Sequence, residues 1–81
     1  MEKSIHTRQY RTLINLIRQE RESRNITQEQ LASMLSVRQT IVSKIETCER
    51  RIDFIELRQI CLALGISLSD IINTFEKKIE Q

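Results

Sequence analysis

Residues Thr27–Glu46 read "TQEQLASMLSVRQTIVSKIE", and this stretch decides the fold. Leu31, Ala32 and Leu35 fall on one face of a helix, and Val42 and Ile45 on one face of a second. Only a few residues, around Ser36–Arg38, separate the two patterns. Helices on so short a connection cross at a large angle, and the small Ala32 permits a close approach. Burial accounts for Val42 and Ile45. It leaves the opposite face of the second helix, with Arg38, Gln39, Thr40 and Lys44, without an assignment.

Outward from this stretch, three helix starts share one local grammar. In "ITQEQL", Thr27 can accept a backbone hydrogen bond, Gln30 lies three residues later, and Ile26 and Leu31 flank them as a hydrophobic staple. "IDFIEL" repeats the pattern with Asp53, Glu56, Ile52 and Leu57. "ISLSDI" repeats it with Ser67, Asp70, Ile66 and Ile71, Asp being the weaker third-position partner. "VRQTIV" keeps the staple, Val37 and Val42, but puts Arg38 at the cap position. Arginine accepts no hydrogen bond, and a good cap is typically worth about 1 kcal/mol. Either Ser36 caps from earlier in the chain, or the site forgoes a cap because arginine has another task. Upstream, Tyr10, Leu13, Ile14 and Ile17 follow helical spacing, with Arg21 on the same side. The expected helices are 7–24, 28–35, 39–46, 54–64 and 68–79. Gly65, the one glycine, suits the left-handed residue that ends the fourth.

Composition agrees with an all-α domain. The 81 residues contain one Gly, no Pro and no Trp, with 40% hydrophobic and 30% charged residues. Such a chain folds as helices on short loops. The longest apolar run, Ile60–Leu64, is far short of the roughly 18 residues a membrane span requires, and "MEKSIHTRQY" lacks the apolar stretch of a signal peptide. A cytoplasmic location is expected. Residues 1–6 read as a flexible N-terminal arm, with Lys3 as an added phosphate attraction and His6 as plain surface, and 7–81 as a single domain. Cys48 and Cys61 form no CxxC pair and read as packed side chains or free thiols. One histidine, two distant cysteines and no Gly-rich loop leave no acid–base pair, metal site or phosphate cradle, so neither an enzyme nor a bound cofactor is expected. The net charge is only +2, but residues 1–24 carry six basic and three acidic groups while the C-terminal segment is mildly acidic. That asymmetry can orient a domain on phosphates.

A short pair of steeply crossed helices is the geometry of a helix-turn-helix, whose second helix enters the major groove of DNA. Here the sequence resembles the lambda-repressor/Cro-type family, also called the XRE family. Thr27-Gln28-x-x-Leu31-Ala32, Val42-Ser43-Lys44-Ile45-Glu46 and Ala63-Leu64-Gly65-Ile66-Ser67-Leu68 carry the resemblance, which covers about residues 11–75. It implies a compact five-helix DNA-binding domain, usually dimeric on a near-palindromic operator. It implies that Gln28 binds a phosphate and braces the recognition helix, with Thr27 beside it, and that Arg38, Gln39, Thr40, Ile41, Ser43 and Lys44 lie at or near base edges.

The chemistry suits those roles. Gln39 can pair with adenine N6 and N7, Lys44 can donate to guanine O6 and N7, and Ile41 or the Thr40 methyl can meet a thymine methyl. Arg50 and Arg51 can pin phosphates and fix register, unless Glu49 or Asp53 engages them. A solvated helix face is the bland alternative for every one of these polar residues. The resemblance also implies that Arg21 and Glu46, both on otherwise apolar faces, form a partly buried ion pair. The family usually has Gly where Ser36 and Cys48 stand, and Asn-Pro where Arg51-Ile52 stands, so some backbone strain is expected at the first two positions.

On the last helix, Ile72, Phe75 and Ile79 extend the apolar stripe beyond what a small core needs, and a homodimer through them is expected. A repressor of prophage, restriction–modification or mobile-element type fits best. The rival is an interaction module or antitoxin-type partner protein using the same fold. A contact with RNA polymerase through Glu29 and its neighbours would instead suit an activator.

Overall fold

A computed structural model describes residues 7–80. The arm read for residues 1–6, with Lys3 and His6, lies outside the described residues. Those described form five helices and no strand: α1 (Arg8–Ser23), α2 (Gln28–Leu35), α3 (Gln39–Glu46), α4 (Phe54–Leu64) and α5 (Leu68–Ile79). The bounds of α2 to α5 coincide with the sequence reading, and α1 is one residue shorter at each end because Thr7 and Arg24 are its caps.

The capping grammar explains the starts. Thr7 accepts from the Tyr10 N–H at 3.2 Å. Thr27 and Gln30 form a full capping box, with the Gln30 N–H donating to Thr27 Oγ1 at 3.1 Å and the Thr27 N–H to Gln30 Oε1 at 2.8 Å. Asp53 and Glu56 repeat it at 2.7 and 3.0 Å. At α5 half of the box forms. Ser67 accepts from the Asp70 N–H at 3.4 Å, while the Asp70 side chain, one methylene shorter than Glu, makes no return bond to the cap.

The ends of α1 to α4 share a second device. Asn25, Ser36, Cys48 and Gly65 all have positive φ, from 57° to 73°. After each, the next N–H reaches back five residues: Ile26 to the Arg21 carbonyl, Val37 to Ala32, Glu49 to Lys44 and Ile66 to Cys61. These are Schellman-type terminations. Glycine occupies one of the four, so Ser36 and Cys48 hold the left-handed conformation at a steric cost.

The core contains Ile14 and Ile17 of α1, Leu31 and Ala32 of α2, Val42 and Ile45 of α3, Leu57, Ile60, Cys61 and Leu64 of α4, Ile71 of α5, and Ile52 ahead of α4. Helix α1 packs on α3, α4 and α5, and α2 packs on α3 and α4. The domain measures 33 × 24 × 20 Å. Cys61 is buried, Cys48 half-buried, and both thiols are unbonded. Burial pushes the Cys61 thiol up from its ordinary pKa. Among the described residues no helix is long and apolar enough to cross a membrane.

Candidate nucleic-acid interface

Helix α3 is eight residues long and divides cleanly by face. Val42, Ile45 and Glu46 are buried, whereas Arg38, Gln39, Thr40 and Lys44 are exposed. Ser43 is half-buried. Ile41 is also half-buried and packs against the core cluster, which leaves the Thr40 methyl as the more outward of the two apolar groups. The sequence thus reaches an outward surface of one guanidinium, one amide, one hydroxyl and one ammonium within two helical turns.

The start of this helix has no side-chain cap. Arg38 takes the N-cap position with extended backbone, and its guanidinium offers no acceptor to the N–H groups of the first turn. Ser36 is not available for that task, because it is the left-handed residue closing α2. The Ile41 N–H turns back to the Arg38 carbonyl at 3.0 Å, and no side-chain cap accepts from the first turn of α3. A helix N-terminus in that state favours an anion.

Behind the exposed face, Arg21 and Glu46 form the buried pair implied by the resemblance. Arg21 Nε donates to Glu46 Oε2 at 2.7 Å and Nη2 to Oε1 at 2.9 Å, while Nη1 donates to the Ile26 carbonyl at 2.7 Å. The two residues are 7% and 8% exposed. Hydrogen bonding to Glu46 raises the Arg21 pKa further and outweighs the opposing effect of burial. This pair fastens the end of α3 to α1.

Gln28, at the first position of α2, continues the network outward. Its Nε2 donates to Glu46 Oε1 at 2.9 Å, and its Oε1 accepts from Gln39 Nε2 at 2.7 Å. Gln28 therefore bridges a buried ion pair and the first residue of α3. Thr27 beside it is exposed and occupied as the α2 cap.

The two arginines after α3 part company. Arg50 is half-buried and donates to Glu56 Oε2 at 2.9 Å, so its partner is neither Glu49 nor Asp53. Arg51 is exposed. The Glu56 carboxyl is held below its usual pKa, first by the Asp53 N–H and then by Arg50. The loop is anchored from α1 as well. The Ile52 N–H donates to the Tyr10 hydroxyl oxygen at 3.0 Å, and burial is the main reason the Tyr10 pKa is raised.

Helical spacing places Tyr10 on the apolar face of α1 and says nothing of its hydroxyl. A buried tyrosine hydroxyl usually finds a partner, and that was the available signal. On α5, Ile72 is exposed while Phe75 and Ile79 are half-buried. Larger exposed apolar side chains stand on α4, where Phe54, Ile55 and Leu62 are each about 60% exposed. Among the described residues no group of His, Cys, Asp and Glu gathers at metal-binding spacing.

Residues 17–71 match the helix-turn-helix family. A control protein from Mycoplasma sp, C.MunI, is 31% identical over 58 residues, covering 72% of this chain and 78% of that protein. An XRE-family like protein from Pseudomonas syringae pv. tomato str. DC3000 superposes with a TM-score of 0.85 at 35% identity, covering 91% of this chain and 90% of the other.

Proposed function

The chain belongs to the XRE-type helix-turn-helix family and is a DNA-binding transcription regulator, and from that premise we propose that it is a sequence-specific repressor that binds a palindromic operator as a homodimer. The observation that carries this reading is α3 itself, with Arg38, Gln39, Thr40 and Lys44 exposed at and beyond an uncapped helix start. In the major groove, Gln39 reads adenine, Lys44 reads guanine and the Thr40 methyl meets thymine, while Ile41 and Ser43 flank the contact. Arg38, Arg51, Gln28 and the α3 N–H groups hold phosphates, with Thr27 at the same helix end. Arg50 supports this surface mainly through its bond to Glu56.

One α3 reads few bases, and two-fold symmetry doubles the contacts. Apolar side chains suited to a second copy are exposed on α4, and on α5 Ile72 is exposed, with Phe75 and Ile79 half-buried further along the helix. Similarity to a protein named as a control protein supports the regulatory role. The work of such a protein lies with DNA in the cytoplasm. The rival reading, an antitoxin-type partner protein, would cover the face of Gln39, Thr40 and Lys44, and a polymerase contact would run through exposed Glu29 on α2.

Fluorescence anisotropy tests the reading. Duplex from upstream of the protein's own gene is compared with shuffled duplex at low and near-physiological salt. A preference of about a thousandfold or more that survives added salt is expected. Weak binding that disappears equally on both duplexes would leave only phosphate attraction and would refute base readout.

A further inference from the structure

We propose that Glu46, although buried behind the reading surface, determines which way round the Gln39 amide faces the groove, and so makes the base preference at that position a single one. The proposal rests on the DNA-reading role of α3 given above.

The argument follows hydrogen-bond polarity along one chain of side chains. Glu46 is paired in bidentate fashion with Arg21 and, as a carboxylate, offers acceptors only. Gln28 can therefore approach it only with the amide nitrogen, as it does at 2.9 Å. That choice turns the Gln28 oxygen toward α3. Gln39 must then present its own nitrogen, as it does at 2.7 Å. An amide on its own can rotate by half a turn at little cost. Here each link excludes the reversed arrangement of the next, and the first link is a charge that cannot reverse.

Gln39 is left with its entire oxygen and one N–H for an outside partner. Adenine offers N7 as an acceptor and N6 as a donor, so it accepts an amide in only one sense. The opposite sense turns the amide N–H toward the exocyclic position and suits guanine O6. A fixed sense gives one preferred base, and an amide released to rotate accepts both. Glu46 and Gln28 are positioning residues in this scheme, because they act through Gln39. The scheme assigns the Arg21–Glu46 pair a specificity role in addition to holding α1 to α3.

The test is selection of duplexes from a randomised DNA library, followed by sequencing, with wild type, Gln39→Ala, Glu46→Gln and Gln28→Met. The position that relaxes in Gln39→Ala is the one Gln39 reads. Glu46→Gln, which can donate as well as accept, is expected to relax that same position from a preference of about ten- to a hundredfold to within about threefold, with other positions unchanged. Should Glu46→Gln not fold by circular dichroism, Gln28→Met decides, since it breaks the chain and leaves the ion pair intact. Asp53→Ala serves as the control for lowered stability and is expected to keep every preference.

Uniform weakening across all sequences in Gln28→Met, with the Gln39 position still sharp, would overturn the proposal and leave Gln28 a phosphate contact alone. A wild type that selects no sequence would overturn the reading role of α3 and the proposal with it.

Discussion

The starts of α3 and α4 carry the same staple pattern in the sequence but are capped differently. Val37 and Val42 frame one, and Ile52 and Leu57 frame the other. At α4, Asp53 and Glu56 close a complete capping box. At α3, Arg38 closes nothing. Helix α4 has a side-chain acceptor for the Glu56 N–H of its first turn, while the first turn of α3 has no side-chain acceptor, only the Arg38 carbonyl for the Ile41 N–H. The stability of α3 comes from its other end, where Val42 and Ile45 are buried and Glu46 is tied to Arg21. The capped α4 and the uncapped α3 differ in where they are fastened.

That difference can be broken deliberately. The largest effect is expected from Glu46→Ala, which leaves the Arg21 guanidinium buried without its carboxylate. Chemical denaturation should register a loss of about 3–5 kcal/mol. Next come two cap changes with opposite signs. Asp53→Ala should cost about 1 kcal/mol and leave DNA affinity where it was. Arg38→Ser should gain about 1 kcal/mol by supplying the absent cap, yet weaken DNA binding and lower the slope of log affinity against log salt by about 1. Thermal melts paired with salt-dependent anisotropy separate these outcomes.

Smaller gains are expected where helix ends, not starts, are strained. Cys48→Gly and Ser36→Gly should each stabilise by about 0.5–1 kcal/mol, because glycine accepts positive φ without the side-chain clash. A loss on either substitution would mean that the side chain makes up for the strain.

The smallest effect belongs to Glu56. Its pKa is lowered in the fold, so its contribution is present above the ordinary carboxylate range and is lost as pH falls through the folded value. Glu56→Gln retains an acceptor for the Asp53 N–H and loses only the charge toward Arg50. The variant should be less stable by at most about 0.5 kcal/mol at neutral pH. The gap should close as pH falls below the ordinary carboxylate range and through the lowered folded value, as denaturation across a pH series would show.

Most of the fold was legible because its boundaries are set by local chemistry. Thr27 with Gln30, Asp53 with Glu56 and the lone Gly65 each act within one turn of the chain, and a sequence displays such spacing directly. Arg21 and Glu46 were visible as charges on apolar faces, and the resemblance paired them. The resemblance implied that Gln28 braces the recognition helix, but its two partners, Glu46 and Gln39, were not legible. The link joins side chains 18 and 11 residues apart, and on a helix surface glutamine looks like any solvated residue. The preference of Arg50 for Glu56 over Glu49 or Asp53 was hidden for a similar reason, since it depends on how the loop after α3 bends. The exposed apolar face of α4 escaped a periodic reading because that helix carries hydrophobic residues on both sides: Leu57, Ile60, Cys61 and Leu64 go inward and Phe54, Ile55 and Leu62 outward.

The central claim is that the outer face of α3 reads bases while the rest of the chain holds it in place. The most direct test is the ratio of affinities for selected over shuffled duplex, measured by anisotropy at near-physiological salt for wild type and for Gln39→Ala/Lys44→Ala. Both side chains are exposed, so the double variant should fold and melt like the wild type. Its ratio should fall from about a thousandfold to near unity. A double variant that keeps the wild-type ratio would place base readout elsewhere on the molecule and contradict the account.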